Sequence, residues 1–209
     1  MINLKLIKVA VISLLLFLSI NSQANDFILS NDSLIDNRVV EKINEIGTES
    51  KSKLGVNIYV YAKQSLGLDK NIKTQDKIKY IKDHESQILP SLVKPYVLLT
   101  MFVEDTHVNL IVSSEELKKT VEKDEVLNDY VVPLLASKDK NSTFAKASAA
   151  ILNGYAAIAD IIAESKNIKL ESSIGSSGKV AGTIWKVFMY SVVVVGLLLY
   201  TIAVLRRKK

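Results

Sequence analysis

The sequence contains no cysteine, three prolines, one tryptophan and two histidines. Without cysteine there are no disulfides, no thiolate metal sites and no cysteine nucleophile. The two histidines add little. His84 sits beside Asp83 and Glu85 on a helical stretch and reads as solvated; His107 begins a strand next to a turn and could act as a ligand. No G-x-S-x-G, P-loop, H-E-x-x-H or dinucleotide fingerprint occurs. The formal net charge of +5 does not describe a basic domain. Of the 27 basic residues, seven lie in the terminal segments (Lys5, Lys8, Lys186 and the four at 206–209). The 22 acidic residues all fall between Asn25 and Thr183, so that part carries about −2 and lacks the balance of a nucleic-acid binder.

Two long apolar runs stand at the ends. Residues 1–24 have a basic start, an apolar core from Val9 to Ile20, and small residues at Ser22 and Ala24. This is the pattern of a secretory signal cleaved after Ala24; an uncleaved anchor is the alternative. Near the other end, Val187 to Leu205 carries no charge and would extend about 28 Å as a helix, enough to cross a bilayer core. Arg206, Arg207, Lys208 and Lys209 follow. Basic residues remain cytoplasmic, so the expected chain is single-pass in the cytoplasmic membrane, with the domain outside and the tail 206–209 inside. The expected divisions are a signal at 1–24, a domain at 25–165, a polar, flexible tether at 166–183 and a span at 184–205.

Within the domain, the stretch Tyr96 to Ser113 organises the rest. A continuous apolar run, an acidic turn (Glu104, Asp105, Thr106) and an alternating run predict an antiparallel hairpin of a doubly covered strand and its neighbour. A short edge strand is expected over residues 26–30. Ser33 and Asp36 have capping-box spacing, so a helix is expected from 33 to 54, ended by Gly55 and followed by a strand at 56–62. Ile78, Ile81, Ile88 and Leu89 predict a helix over 74–89, and the lysines of 70–82 read as its solvated face. Ser114 begins another capped helix. Val126 to Ala136 reads as a short helix broken near Pro133, and Thr143 to Ser165 as a long, alanine-rich one. Together these predict an α/β fold, a three-layer sandwich with a central mixed β-sheet and helices on both faces, plus one C-terminal transmembrane helix.

The helical crossover makes strands 56–62 and 96–103 parallel. Their carboxyl ends then share an edge with the start of the first helix. Asp32, Lys63, Gln64, Ser65, Glu104, Asp105 and Thr106 converge there, where α/β proteins commonly bind ligands. Asp32, Glu104 and Asp105 are candidate ligands for a hard cation, Ca²⁺ or Mg²⁺, with Lys63, Ser65, Thr106 and His107 as accompanying binding groups. The same carboxylates could support acid–base or phosphoryl chemistry. The plainer reading is a helix cap and a polar turn.

This layout resembles the TPM domain family over roughly Phe27 to Ala163. The similar stretches are Asn31-Asp32 before the first helix, Leu54 to Val60, the hairpin Val97 to Val112, and Tyr130-Val131-Val132-Pro133 followed by the helix from Phe144. Pro90 to Pro95 stands where the family commonly has a Trp-Gly-Ile-Gly-like segment. The resemblance implies a membrane-anchored accessory domain that assists assembly or upkeep of a membrane or exported protein complex. Its alternative implication is a divalent-metal-dependent acid phosphatase acting on exported phosphoesters. Only Asp32 and Glu104-Asp105 match the family's acidic positions.

Overall fold

A computed structural model describes residues 27–69 and 71–175. The signal at 1–24, the span at 184–205 and the tail at 206–209 lie outside the described residues. Among those described, no helix is long and apolar enough to cross a membrane.

The domain is α/β, built on a four-stranded mixed sheet in the order β1 (Ile28–Ser30), β2 (Asn57–Lys63), β3 (Tyr96–Phe102), β4 (His107–Val112). β1, β2 and β3 run parallel, and β4 returns antiparallel. The expected crossover and hairpin are therefore both present. All seven residues of β3 are buried, which explains its unbroken apolar run. The edge strand β4 is only partly covered, so its side chains alternate. Asn109 on β4 accepts the N–H of Leu110, its neighbour in sequence, at 2.9 Å. The same oxygen receives Lys123 Nζ.

Helix α1 covers Asn37–Glu49, starting later than Ser33 would have it. Asp36 is the cap, its carboxylate accepting Arg38 N–H. Asp32 and Ser33 instead have φ values of 42° and 59°, and Leu34 N–H closes a turn onto Asn31 O at 2.7 Å. The reason is burial. Leu34 and Ile35 both enter the core, and a turn directs two successive side chains inward where a helix would splay them apart. A π-helical turn, Ser50–Leu54, extends the helix to Gly55, which ends it at φ 68° as expected. Helix α2 (Thr74–Ile88) forms where expected, but of its apolar stripe Ile81 is buried, Ile88 and Leu89 are half-buried and Ile78 is exposed; α3 (Glu115–Thr120) starts at the Ser114 cap. The segment expected over 126–136 is a short α4 (Lys123–Glu125), a π-helical stretch Val126–Val131, and α5 (Val132–Leu135) with Pro133 in its first turn.

Helix α6, Thr143–Ser165, has both ends where the sequence puts them. Its small residues bring it close to the sheet: a Cβ on Gly154 would stand 2.5 Å from Val131 and 3.4 Å from Leu99. Tyr155, fully buried beside it, donates its hydroxyl to Ile58 O at 2.8 Å. Gly47 of α1 faces the same tyrosine, whose Oη would lie 2.5 Å from an added Cβ.

The tether expected from Lys166 begins as docked chain. Lys166 Nζ donates to Leu54 O at 2.8 Å, and Leu170 and Ser172 are buried. Glu49 accepts the N–H groups of Glu171 and Ser172 at 2.9 and 2.7 Å, and the Ser172 hydroxyl as well. Serine-rich composition reads as linker, but here the hydroxyls and amides meet a carboxylate held ready on α1.

Candidate functional site

The expected edge does come together, through main-chain bonds. Val103 N–H reaches Lys63 O at 3.2 Å, and Glu104 N–H reaches Gln64 O at 2.8 Å, prolonging the β2–β3 pairing into the turn. Asp32 accepts Gln64 N–H at 2.9 Å, and Asp105 accepts Leu66 N–H at 2.8 Å. Ser65 Oγ accepts Gly67 N–H at 3.0 Å. Thr106 sits at φ 49° and closes the turn onto Val103 O. Lys63 Nζ stands 6.0 Å from the Tyr61 ring centroid. Two of the three expected cation ligands thus hold loop backbones in place. Among the described residues no three His, Asp or Glu side chains group as a metal site. Asp32, Glu104 and Asp105 are neighbours through their loops, and Asp32 is a loop acceptor rather than a helix cap.

A different carboxylate is more deeply placed. Glu85 of α2 is 3% exposed and lies one turn after the buried Ile81. Thr100 of β3 donates to Glu85 Oε1, and Asn109 Nδ2 of β4 donates to Oε2 at 2.7 Å. Thr100 and Asn109 are opposite each other in the β3–β4 register, so the sheet offers two donors side by side. His107 Nε2 lies 3.3 Å from Oε1. Burial pushes the Glu85 carboxyl up, but the bonds from His107, Thr100 and Asn109 outweigh it and hold the group below the usual glutamate range. An ionised carboxylate only accepts, so in the contact with Glu85 it is His107 Nε2 that donates. The ring stacks on Phe102 at 5.7 Å between centroids.

His84 is half-buried rather than fully solvated. Its Nε2 lies 3.1 Å from the Tyr61 hydroxyl, and its ring meets Phe102 edge-on at 5.9 Å. Burial, then the charge of Lys63, holds its imidazole below the ordinary histidine value. Glu85, Thr100 and Asn109 were absent from the sequence-based site. The available signal was Thr100 in the apolar strand facing Asn109 in the alternating one across the predicted hairpin, with a glutamate four residues after Ile81.

Beside His107 opens a cleft of about 680 Å³. It lies at the carboxyl end of β3 and the start of β4, closed on the far side by the 126–131 turn, α5 and the first turn of α6. Its wall is largely aliphatic, formed by Met101, Val103, Leu127, Val132 and Leu135. Lys146, which also lines it, is held by Ser137 O at 2.6 Å and by Asp139 Oδ1 at 3.4 Å. The edge therefore offers an apolar surface with hydrogen-bonding groups on its rim.

No protein-family model, curated protein or solved structure matches this chain.

Proposed function

We propose that this chain is a membrane-anchored, extracytoplasmic accessory domain of the TPM-like kind. It binds a neighbouring membrane or exported protein and assists assembly or maintenance of their complex. In this reading the signal is removed after Ala24, and residues 184–205 form a single span that leaves 206–209 in the cytoplasm. The finer architecture is a three-layer sandwich. Helices α1 and α6 form one outer layer, and α2, whose Glu85 binds Thr100 and Asn109, forms the other.

One observation carries the reading. At the converging edge the Asp32, Asp105 and Glu85 carboxylates hold protein donors, whereas the adjoining cleft is open and mostly aliphatic. Such a surface suits a protein side chain. Hydrolysis of phosphoesters, the other implication of the resemblance, would need these carboxylates for metal or acid–base work.

The test is site-specific photo-cross-linking in cells. A photoreactive residue at Leu135, in the cleft wall, is expected to give a discrete adduct with one protein, lost in Val132→Asp. The same probe at Lys82, on the exposed side of α2, is expected to give none. No adduct from Leu135, or the same adduct from both positions, overturns the proposal.

A further inference from the structure

Building on the docking role proposed above, we infer that the cleft takes a short partner segment in which a large aliphatic side chain is followed by a lysine or arginine. The wall sets the first half of this chemistry. Val103, Leu127, Val132 and Leu135 present methyl groups with the buried Met101 directly behind them, and the volume of about 680 Å³ falls in the range of a ligand site.

The rim sets the second half. Asp124 is exposed and holds no ion pair among the described residues. Asn128, also exposed, adds an amide oxygen. His107 is fixed by its Nε2–H bond to Glu85, and its Nδ1 has no hydrogen bond among the described residues. The Asp124 carboxylate accepts only, whereas the Asn128 amide bonds to either sign. The buried negative charge of Glu85 behind the imidazole adds to the same potential.

Lys146 is the cation among the described lining residues. Its ammonium donates to Ser137 O and Asp139 O and pairs with the Asp139 carboxylate, which uses its three protons. A carboxylate or phosphate entering the cleft would face Asp124 with no available cation among the described lining residues. The Thr106 and Thr143 hydroxyls bond to either sign and do not discriminate. An aliphatic group with a cationic neighbour is therefore favoured over an acidic one.

Methionine methyl NMR of the full chain in nanodiscs tests this directly. Of its three methionines, Met101 lies in the cleft wall, and Met101→Leu assigns its signal. A capped Leu-Leu-Lys peptide is expected to shift that methyl saturably. Leu-Leu-Glu should bind about fivefold more weakly, the scale of one exposed ion pair. Ser-Ser-Lys should leave the methyl unmoved. Asp124→Asn, at an exposed position, should erase the Lys-over-Glu preference without changing the melt. Equal or tighter binding of Leu-Leu-Glu, an undiminished preference in Asp124→Asn, or no response to any peptide overturns the inference. The Leu135 cross-link separates this failure from that of the docking role: an adduct retained without a Leu-Leu-Lys response leaves docking standing and removes the partner chemistry.

Discussion

Glu85 and Thr100, fifteen residues apart, meet in a buried hydrogen bond that joins helix α2 to the central strand. Thr100 is completely buried, so its hydroxyl depends on that carboxylate. Glu85→Ala removes the acceptor for both Thr100 and Asn109. An unsatisfied buried polar group costs about 1–3 kcal/mol, so the variant should unfold at clearly lower denaturant concentration. Glu85→Gln, which keeps an oxygen acceptor, should lose less.

The same pair predicts an acid response. The folded-state pKa of Glu85 is depressed. Its contribution is therefore fully present above the unfolded value of 4.5 and is lost as pH falls through the lower folded value. The gap in melting temperature between wild type and Glu85→Gln should narrow below that point. A gap that widens on acidification would contradict the assigned charge state.

Glu49 should act as a separable clasp. Its partial burial pushes the carboxyl up, but Lys53, Ser172 and the amides of Glu171 and Ser172 bring it from 4.5 down to about 2. The sign is the same: the clasp is intact above pH 4.5 and is lost as pH falls through about 2. Amide exchange should show Glu171 and Ser172 losing protection over that interval, with Ile158 in α6 as the core reference. In Glu49→Gln those two amides should already exchange faster at neutral pH. Unchanged protection in the variant would remove Glu49 from the role.

The loop carboxylates should behave as structure. Asp105→Ala leaves Leu66 N–H without its acceptor at a nearly buried position, and should cost about 1–3 kcal/mol. Millimolar Ca²⁺ or Mg²⁺ should raise the wild-type melting temperature no more than NaCl at equal ionic strength. A bound cation at a hundred times its dissociation constant would add about 2.7 kcal/mol and would be plain in the same melt. Hydrolysis of a generic phosphomonoester that Asp105→Asn abolishes would restore the enzymatic reading.

The proposed membrane orientation is checked with fusions. A reporter active only outside the cytoplasm should work after Ser165 and fail after Lys209. The reverse pattern would invert the topology and place the cleft among cytoplasmic partners.

Local signals made much of the fold legible. Gly55, the Ser114 cap, the acidic hairpin turn and the two ends of α6 each depend on near neighbours in sequence. The parallel crossover followed from chain-connection geometry. Only the start of the first helix was misplaced, because a capping pattern at Ser33 competed with the burial of Leu34 and Ile35, a tertiary demand. The two π-helical turns have no comparable local signature. The convergence of Asp32 and Asp105 on the end of β2 around Lys63, Gln64 and Ser65 was legible from topology; that the two carboxylates serve the backbone donors of Gln64 and Leu66 was not. Glu85 stayed hidden because a glutamate beside Asp83 and a histidine reads as a solvated helix face. The donors that draw it inward lie on strands fifteen and twenty-four residues away. The docked segment after Ser165 was illegible for a related reason, since its acceptor, Glu49, comes more than a hundred residues earlier.

The bond from Leu110 N–H to the Asn109 side chain bears on how the protein behaves in a crowd. Ser113 N–H pairs with Tyr96 O, so alternate residues of β4 turn inward and Leu110 turns its amide outward. A free row of such amides on an edge strand is a template for another chain. Here Asn109 occupies the middle donor of that row with its own side-chain oxygen, and Lys123 sets a charge on the same atom. An incoming strand would have to displace both before zipping on. The exposed side of the sheet is thus guarded against self-association by one asparagine, whose amide nitrogen anchors Glu85 while its oxygen seals the margin.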